Sequence, residues 1–268
     1  MKLSYSDLIS PFPFKTSICS IKSPTLSEVW NITYETYLFY IRILSLTPQM
    51  YIDEINPKLR AWYESLSETD KNTVTLIDIC IVDETIINNL TKVLDFFIVE
   101  NIIWNKEISA FIIYDSKDDK GNIIPKSFIH TKIWKELVSI ILQLNAINND
   151  EQEIDESKVK SKKALEILEK LKKGREANKK KNKSDKALQL DNLVSVIANK
   201  HASLNMTNIW NITVYQLWDA FTRMAGNNIY DMSKFTVSVW GDEKKQFNYT
   251  EWYLSLIHIS EPTRPLYI

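Results

Sequence analysis

A lysine-rich block between Lys158 and Lys186 restricts the possible folds of this chain more than any other feature. It holds 13 of the 33 basic residues and four of the 34 acidic ones, a net charge of +9, so the remaining residues carry 20 − 30 = −10. Ionised side chains are almost never buried without partners, so this block cannot form a core. We therefore predict that residues 148–186 are a charged linker, partly helical or disordered, between two folded parts.

The composition of the chain is that of an ordinary globular protein, with 44% apolar and 25% charged residues. Only four glycines occur, which argues against folds built on many tight turns or phosphate-binding loops. Cys19 and Cys80 stand alone, as in proteins of a reducing compartment. The start of the chain has no secretory signal, and no apolar run approaches the roughly 20 residues that cross a bilayer. We expect a soluble cytoplasmic protein that does not bind membranes.

Hydrophobic periodicity and turn residues predict an α+β fold that is predominantly α-helical. Helical N- and C-terminal parts are expected around a small helix–hairpin–helix module. The predicted regions are 1–70 (N-terminal helical region), 71–147 (α+β module), 148–186 (charged linker) and 187–253 (C-terminal helical region).

The N-terminal region carries several helix signals. A short helix is predicted over 27–30. Thr33 is predicted to cap a longer helix toward Leu46, and Pro48 to end it, because a proline cannot continue the hydrogen-bond ladder. A further helix is predicted over 56–66, with a proline in its first turn.

In the α+β module, apolar residues at helical spacing predict a helix over 85–98, and Thr131 is predicted to cap a second helix through Leu144. Residues 74–82 are apolar and β-branched, and both a strand and the start of the following helix remain open for them. Strands are predicted over 102–104, 108–114 and 123–124, with turn residues over 118–122.

The C-terminal region is predicted to contain the helices Leu190–His201 and Thr213–Ala225, with a stop at 226–228. Residues 235–252 are aromatic, and both strand and helix remain open for them. Beyond Tyr253, the letters LSLIHISEPTR resemble the conceptual translation of a transposase-type sequencing adapter. We therefore predict that residues 254–268 are an adapter artefact and not part of the natural protein.

A repeated signature provides the candidate site. Trp30-Asn31-Ile32-Thr33 recurs as Trp210-Asn211-Ile212-Thr213, and apolar residues follow both copies at matching offsets. Each copy predicts a helix–corner–helix unit in which Asn takes a left-handed exit conformation and the Thr hydroxyl caps the next helix. Thr213 and Gln216 have the spacing of a capping box.

Ser27 and Thr207 stand at the same offset before each tryptophan and are predicted to cap the preceding short helices. Coincidence in a chain rich in Ile and Asn is the alternative to this shared design. A DNA-reading helix-turn-helix is another, but the second helices offer little beyond Arg42 and Arg223 for phosphates. The residues assigned to the interaction or structural motif are Trp30, Asn31, Thr33, Tyr37, Trp210, Asn211, Thr213 and Trp218.

No residue pattern predicts a catalytic, cofactor-binding or metal site. Before residue 254 the histidines are His130 and His201, and neither has a Cys or a second His at ligand spacing. P-loop, GxGxxG and GxSxG motifs do not occur. We expect a protein that is not an enzyme and binds no cofactor or small molecule. Nucleic-acid binding through Lys158–Lys186 is the alternative function, although this block contains no aromatic residues for base stacking.

Helix-packing patterns occur in three stretches that together span most of residues 1–253. They are 21–26 leading to Tyr34 and Tyr37; 94–97 followed by 118–125 and 140–145; and 210–217 after the charged linker. These stretches resemble tail assembly chaperones and minor structural proteins of phages from low-GC Gram-positive hosts. The resemblance implies a non-enzymatic protein that binds tape-measure or tail-tube subunits, either in the host cytoplasm during assembly or in the virion. It supplies no catalytic residues.

Overall fold

A computed structural model describes residues 1–118, 121–147, 189–242 and 247–248. The predicted linker (148–186) and the predicted adapter-derived end (254–268) lie outside the described residues. The chain forms two compact units. The first comprises Met1–Ile147 together with Trp210–Gln216, and the second comprises the described parts of Asn148–Ile209 and Leu217–Tyr267.

Helices dominate the first unit, and most of them begin at a Ser, Thr or Asp whose side-chain oxygen accepts a hydrogen bond from a free backbone N–H. The predicted fold class, α+β and predominantly helical, is confirmed. The helices are α1 (Tyr5–Ile9), α2 (Leu26–Asn31), α3 (Tyr34–Ser45), α4 (Pro48–Glu54), α5 (Arg60–Glu64), α6 (Glu68–Thr73), α7 (Leu76–Ile79), α8 (Glu84–Phe97) and α9 (Thr131–Leu144).

Two small antiparallel sheets belong to the same unit. β1 (Phe14–Lys15) pairs with β2 (Ser20–Ile21). β3 (Asn101–Asn105), β4 (Ala110–Lys117) and β5 (Ile123–Ile129) form a three-stranded meander in that order. The three strands predicted between the two module helices are therefore present. The β1–β2 hairpin was not predicted, because strands of two residues are too short to show an alternating pattern.

The core of the first unit is built on the apolar faces of α8 and α9. Leu90 and Phe97 of α8, Phe111 of β4 and Ile141 of α9 are fully buried. Each such side chain contributes about 1.5–3 kcal/mol by leaving water. Because α8 contacts β3 and α9 contacts α3 and α7, these two helices connect the sheet to the N-terminal helices.

Asp78 forms hydrogen bonds at the starts of two helices, α7 and α9. Strand and helix were both possible for the region of α7, and the cap of α9 was wrongly predicted. Residues 74–82 contain the short helix α7, where Asp78 Oδ2 accepts a hydrogen bond from Thr75 N at 2.7 Å. The prediction that Thr131 caps α9 is wrong. His130 Nδ1 accepts from Lys132 N at 3.2 Å, while the Thr131 hydroxyl donates to Asp78 Oδ1 at 2.7 Å. One carboxylate thus fixes the beginning of α7 and joins it to the beginning of α9.

The helices around the prolines differ in detail from the prediction. α3 ends at Ser45, before Pro48 as predicted, but Pro48 is also the first residue of α4. A proline is favourable there, because the first helical residue has no intrahelical use for its N–H. The helix predicted over 56–66 is divided into a 3₁₀ turn, Pro57–Leu59, and α5.

The second unit contains α10 (Leu190–Lys200), as predicted, and most of α11 (Val214–Trp240). The predicted stop at 226–228 is wrong, because α11 continues through Gly226 to Trp240. A helical glycine costs about 1 kcal/mol relative to alanine, too little to end a helix of 27 residues. Strand and helix were both possible for 235–252. Residues 235–240 are helical, 241–242 and 247–248 are neither helix nor strand, and 243–246 and 249–252 lie outside the described residues. Within the described residues, no helix combines the length and apolarity needed to span a membrane.

Candidate functional site

The first corner joins α2 to α3 and begins with a reciprocal cap. Thr25 Oγ1 accepts a hydrogen bond from Glu28 N at 3.3 Å, and Glu28 Oε2 accepts one from Thr25 N at 2.9 Å. Lys22 Nζ lies 2.7 Å from Glu28 Oε1. Burial opposes ionisation of Glu28, but the hydrogen bonds from Lys22 and Thr25 outweigh it and hold the pKa below its usual value of 4.5. Glu28 is therefore an ionised capping group at neutral pH.

Thr33 turns the chain between the two helices. Its Oγ1 accepts a hydrogen bond from Thr36 N at 3.3 Å, which confirms the predicted cap of α3. Its backbone φ is 71°, a value that β-branched residues rarely adopt and that costs on the order of 1–3 kcal/mol. The left-handed exit predicted at Asn31 is wrong, because Asn31 is the last residue of α2 and the positive φ occurs two residues later.

The second corner begins at Asn205, five residues before Trp210, as Thr25 stands five residues before Trp30. Asn205 Oδ1 accepts a hydrogen bond from Thr207 N at 2.9 Å. Asn208 Oδ1 accepts one from Asn205 N at 2.8 Å, so Asn208 occupies the place that a glutamate holds in the first corner.

The capping roles predicted for Ser27 and Thr207 are therefore wrong. Both residues lie two positions after the side chains that accept the capping hydrogen bonds, Thr25 and Asn205. The repeat itself is thus more extensive than its four letters. It includes a side-chain acceptor at the fifth residue before each tryptophan, which caps α2 at Thr25 and begins a turn at Asn205, and a reciprocal acceptor at the second.

A capping box closes the second corner and starts α11. Gln216 N donates to Thr213 Oγ1 at 3.2 Å, and Gln216 Oε1 accepts from Thr213 N at 3.0 Å. This confirms the predicted box. Thr213 is fully buried, whereas Thr33 at the equivalent position is exposed.

The first corner and the segment Trp210–Gln216 of the second corner meet within the first unit. Thr25 and Thr213 form an isolated antiparallel bridge. Leu26 N donates to Ile212 O at 2.9 Å, and Val214 N donates to Pro24 O at 3.0 Å. The segment Trp210–Gln216 therefore pairs with the chain at the start of α2 and satisfies backbone groups there.

The two tryptophans of the repeat contact each other directly. The ring centroids of Trp30 and Trp210 are 5.3 Å apart at 70°, an edge-to-face pair. Trp30 also stacks on Tyr34, which stacks on Tyr37, with centroid distances of 5.9 and 6.4 Å. Aromatic pairs of this kind contribute about 0.5–1.5 kcal/mol beyond their burial. The rings form a continuous aromatic row along the first corner.

Tyr37 ends this aromatic row inside the core. Its hydroxyl donates to Asn145 Oδ1 at 2.9 Å, and Asn145 Nδ2 donates to Ile141 O at 2.7 Å. Burial raises the pKa of Tyr37 well above its usual value, so the hydroxyl stays protonated and acts as a donor. The tyrosine thereby connects α3 to the end of α9.

The structure places the other two predicted site residues outside this aromatic row. Asn211 is exposed in a 3₁₀ turn, Ile209–Asn211. Trp218 belongs to the second unit, is half-buried, and makes an edge contact with Phe221 of the same helix at 6.2 Å and 86°.

The thiols of Cys19 and Cys80 are both buried. Burial raises the pKa of Cys19 to about 11 and that of Cys80 to about 12, so both thiols are protonated at neutral pH. Among the described residues, no three His, Cys, Asp or Glu side chains are grouped as metal ligands would be.

A polar depression of about 280 Å³ lies on the first unit. It is lined by residues that include Asp53, Arg60, Glu68 and Lys71. Arg60 pairs with Asp53 at 2.7 Å, and Lys71 pairs with Glu68 at 2.9 Å. Its cations therefore already have carboxylate partners within the depression.

Sequence reasoning did not reveal that Trp210–Gln216 belongs to the first unit. The signal that could have suggested it is the repeat itself, since two tryptophans with the same neighbours can pack edge to face. The caps at Thr25 and Asn205 were also missed, because a Thr and an Asn do not match as letters although both accept the same hydrogen bond.

In a comparison with protein families, the family described as the YomV second domain matches residues 179–256. This family is phage-associated, which is consistent with a phage protein. No curated protein and no solved structure shows a significant match to the chain.

Proposed function

We propose that this chain is a non-enzymatic phage protein that acts in tail assembly or as a minor part of the tail. It binds tape-measure or tail-tube proteins through apolar helix surfaces, in the host cytoplasm during assembly or in the virion. The observation that carries the proposal is the match of residues 179–256 to a phage-associated family. The three stretches that resemble tail assembly chaperones support the finer assignment to the tail.

The paired corners have a structural role in this proposal. Trp30 and Trp210 pack against each other, and Tyr37 is buried, so these rings stabilise the first unit and are not themselves the docking surface. Apolar side chains that remain available for a partner lie elsewhere on α3 and on α4. Phe39 of α3 and Met50 of α4 are both exposed. Exposed apolar side chains of this size favour protein contacts over contact with a small polar molecule.

Co-expression with the tape-measure protein of the same phage tests the proposal. The full chain is expected to co-purify with it and to bind at micromolar concentration. Phe39→Glu places a charge on the exposed face of α3 and is expected to weaken binding by about 10-fold or more. Asn88→Glu adds the same charge at an exposed position of α8 and is the matched control. Absence of association with both tape-measure and tail-tube proteins would contradict the proposal.

The alternative, a nucleic-acid-binding accessory protein, depends on Lys158–Lys186, outside the described residues. Its test is binding of duplex and single-stranded DNA at increasing salt, with the lysines of this block replaced by glutamine. Salt-dependent binding that disappears with the lysines, together with no tail-protein partner, would replace the proposed function by the alternative. DNA binding that survives neutralisation of the lysines would remove the alternative.

A further inference from the structure

The C-terminal half of α11 presents a row of large apolar side chains to solvent. Five of them are more than half exposed. They are Ile229 (67%), Met232 (71%), Phe235 (70%), Val239 (55%) and Trp240 (81%). Scattered apolar residues on a surface need no explanation, but a contiguous patch of this kind marks an interaction site.

The spacing of this patch is that of a helix-packing seam. Ile229, Met232, Thr236 and Val239 follow one another at intervals of three, four and three residues, as the a and d positions of a coiled coil do. At 3.6 residues per turn, the five apolar residues fall within an arc of about 140°. The charged side chains Asp231 and Lys234 lie outside that arc.

The seam can be buried without leaving a polar group unpaired. Its one polar member, Thr236, donates its hydroxyl to Met232 O at 2.9 Å within the helix. Such internal pairing removes the penalty that a buried hydroxyl would otherwise incur. The positions that flank the seam, Asn228, Ser233, Phe235 and Trp240, carry no charge of their own, although Lys200 Nζ donates to Asn228 Oδ1 at 2.9 Å at the N-terminal end of the seam. An identical helix therefore meets no like charge from the other three flanking positions.

The exposed area matches what a dimer needs. The aromatic side chains Phe235 and Trp240 can bury roughly 150–250 Å² each and the three aliphatic ones about 60–120 Å² each, so at their exposed fractions the five residues offer on the order of 500 Å². Two copies that meet face to face would remove about 1,000 Å² from solvent, which is at the low end of the range for specific protein interfaces. A two-fold dimer uses one patch twice, so the patch must be able to pack against a copy of itself. An apolar seam that contains no charged side chain meets this requirement.

We infer that a second copy of this chain docks on the seam Ile229–Met232–Thr236–Val239, flanked by Phe235 and Trp240, to form a homodimer. The inference goes beyond the proposed tail function and does not depend on it. It uses a different helix from the α3 surface tested with the tape-measure protein, so the two experiments fail independently.

Sedimentation of the full chain between about 1 and 100 μM tests the dimer, since interfaces of this size span micromolar to tighter affinities. The expected mass is twice 31.3 kDa. Met232→Glu places a carboxylate from each copy in the interface and is expected to weaken the dimer at least about 100-fold. Ser238→Glu adds the same charge at an exposed position outside the apolar arc, and is expected to leave the dimer unchanged.

Because Met232 is exposed in the single chain, Met232→Glu is expected to keep the far-ultraviolet circular dichroism of the wild type. A wild-type chain that stays monomeric over the whole range would overturn the inference. So would a dimer that Met232→Glu does not weaken, or one that Ser238→Glu weakens equally. A monomer that binds vesicles of phosphatidylcholine would assign the seam to a lipid surface instead.

Discussion

The two corners of this chain share four letters and a capping scheme but have opposite surroundings. Thr33 is exposed and adopts a φ of 71°, whereas Thr213 is fully buried and bridges to Thr25. The first corner supplies the surface on which the segment Trp210–Gln216 lies. The same residue type therefore contributes differently to stability in the two corners. The free energy of a cap depends on its burial and backbone conformation as well as on the identity of the capping residue.

The corners also differ in charge. The reciprocal acceptor is the ionised Glu28 in the first corner and the neutral Asn208 in the second. The first corner consequently responds to pH through its cap and the second does not. Three experiments test this contrast.

The largest effect is expected at the contact between the corners. Trp30→Ala removes an edge-to-face contact with Trp210 and a stack on Tyr34, and is expected to lower the free energy of unfolding by about 3 kcal/mol. In a double-mutant cycle measured by urea denaturation, Trp30→Ala and Trp210→Ala are expected to show a coupling energy of about 1 kcal/mol.

The control for this cycle is Trp30→Ala combined with Trp104→Ala. The ring of Trp104 pairs with Phe111, so the two substitutions are expected to be additive. Strict additivity for Trp30 and Trp210 as well would show that the corners do not stabilise each other.

A smaller effect on the free energy of unfolding is expected when threonine is replaced by glycine in each corner. The two corners are expected to respond differently. Thr33→Gly relieves a positive φ and loses only a weak exposed cap, so the unfolding free energy should stay within about 0.5 kcal/mol of the wild type or rise. Thr213→Gly removes a fully buried side chain without such relief, and should cost about 2 kcal/mol. Thermal unfolding measures both. Equal losses at the two sites would contradict the contrast drawn from burial and φ.

The smallest effect is a pH dependence confined to the first corner. The pKa of folded Glu28 is lowered, so its stabilising contribution is present above the usual glutamate pKa and is lost as the pH falls through the folded pKa. Glu28→Gln keeps a hydrogen-bond acceptor but not the charge. Its unfolding free energy is expected to fall less steeply than that of the wild type below a pH of about 4.5.

Asn208→Gln, a neutral substitution at the equivalent place in the second corner, should keep the acid dependence of the wild type. If Glu28→Gln also keeps it unchanged, the cap is not the source of the pH response.

Strongly amphipathic helices were predictable from the sequence. α8 and α10 were located within one or two residues, because their apolar periodicity is regular. The start of α9 was misassigned, since a Thr is a common cap and the interaction of Thr131 with the distant Asp78 has no local signal. The Gly226 stop failed for a related reason, because a weak local preference is overcome by the length of α11.

The candidate site was predictable in its local parts only. The caps at Thr33 and Thr213 follow from short-range hydrogen bonding and were found. The bridge from Thr25 to Thr213 joins residues separated by the charged linker, and nothing in the neighbouring letters specifies it. Periodicity reports which face of a helix is apolar, but it does not report which distant segment covers that face.

The membership of Trp210–Gln216 in the first unit has a consequence for biosynthesis. A ribosome must add 216 − 147 = 69 residues after Ile147 before the segment that completes this unit has been made. At 5–20 residues per second this interval is roughly 3–14 s. During that time the amide of Leu26 and the carbonyl of Pro24 cannot form their hydrogen bonds with Ile212 and Val214, so the last step in folding this unit has to follow their synthesis.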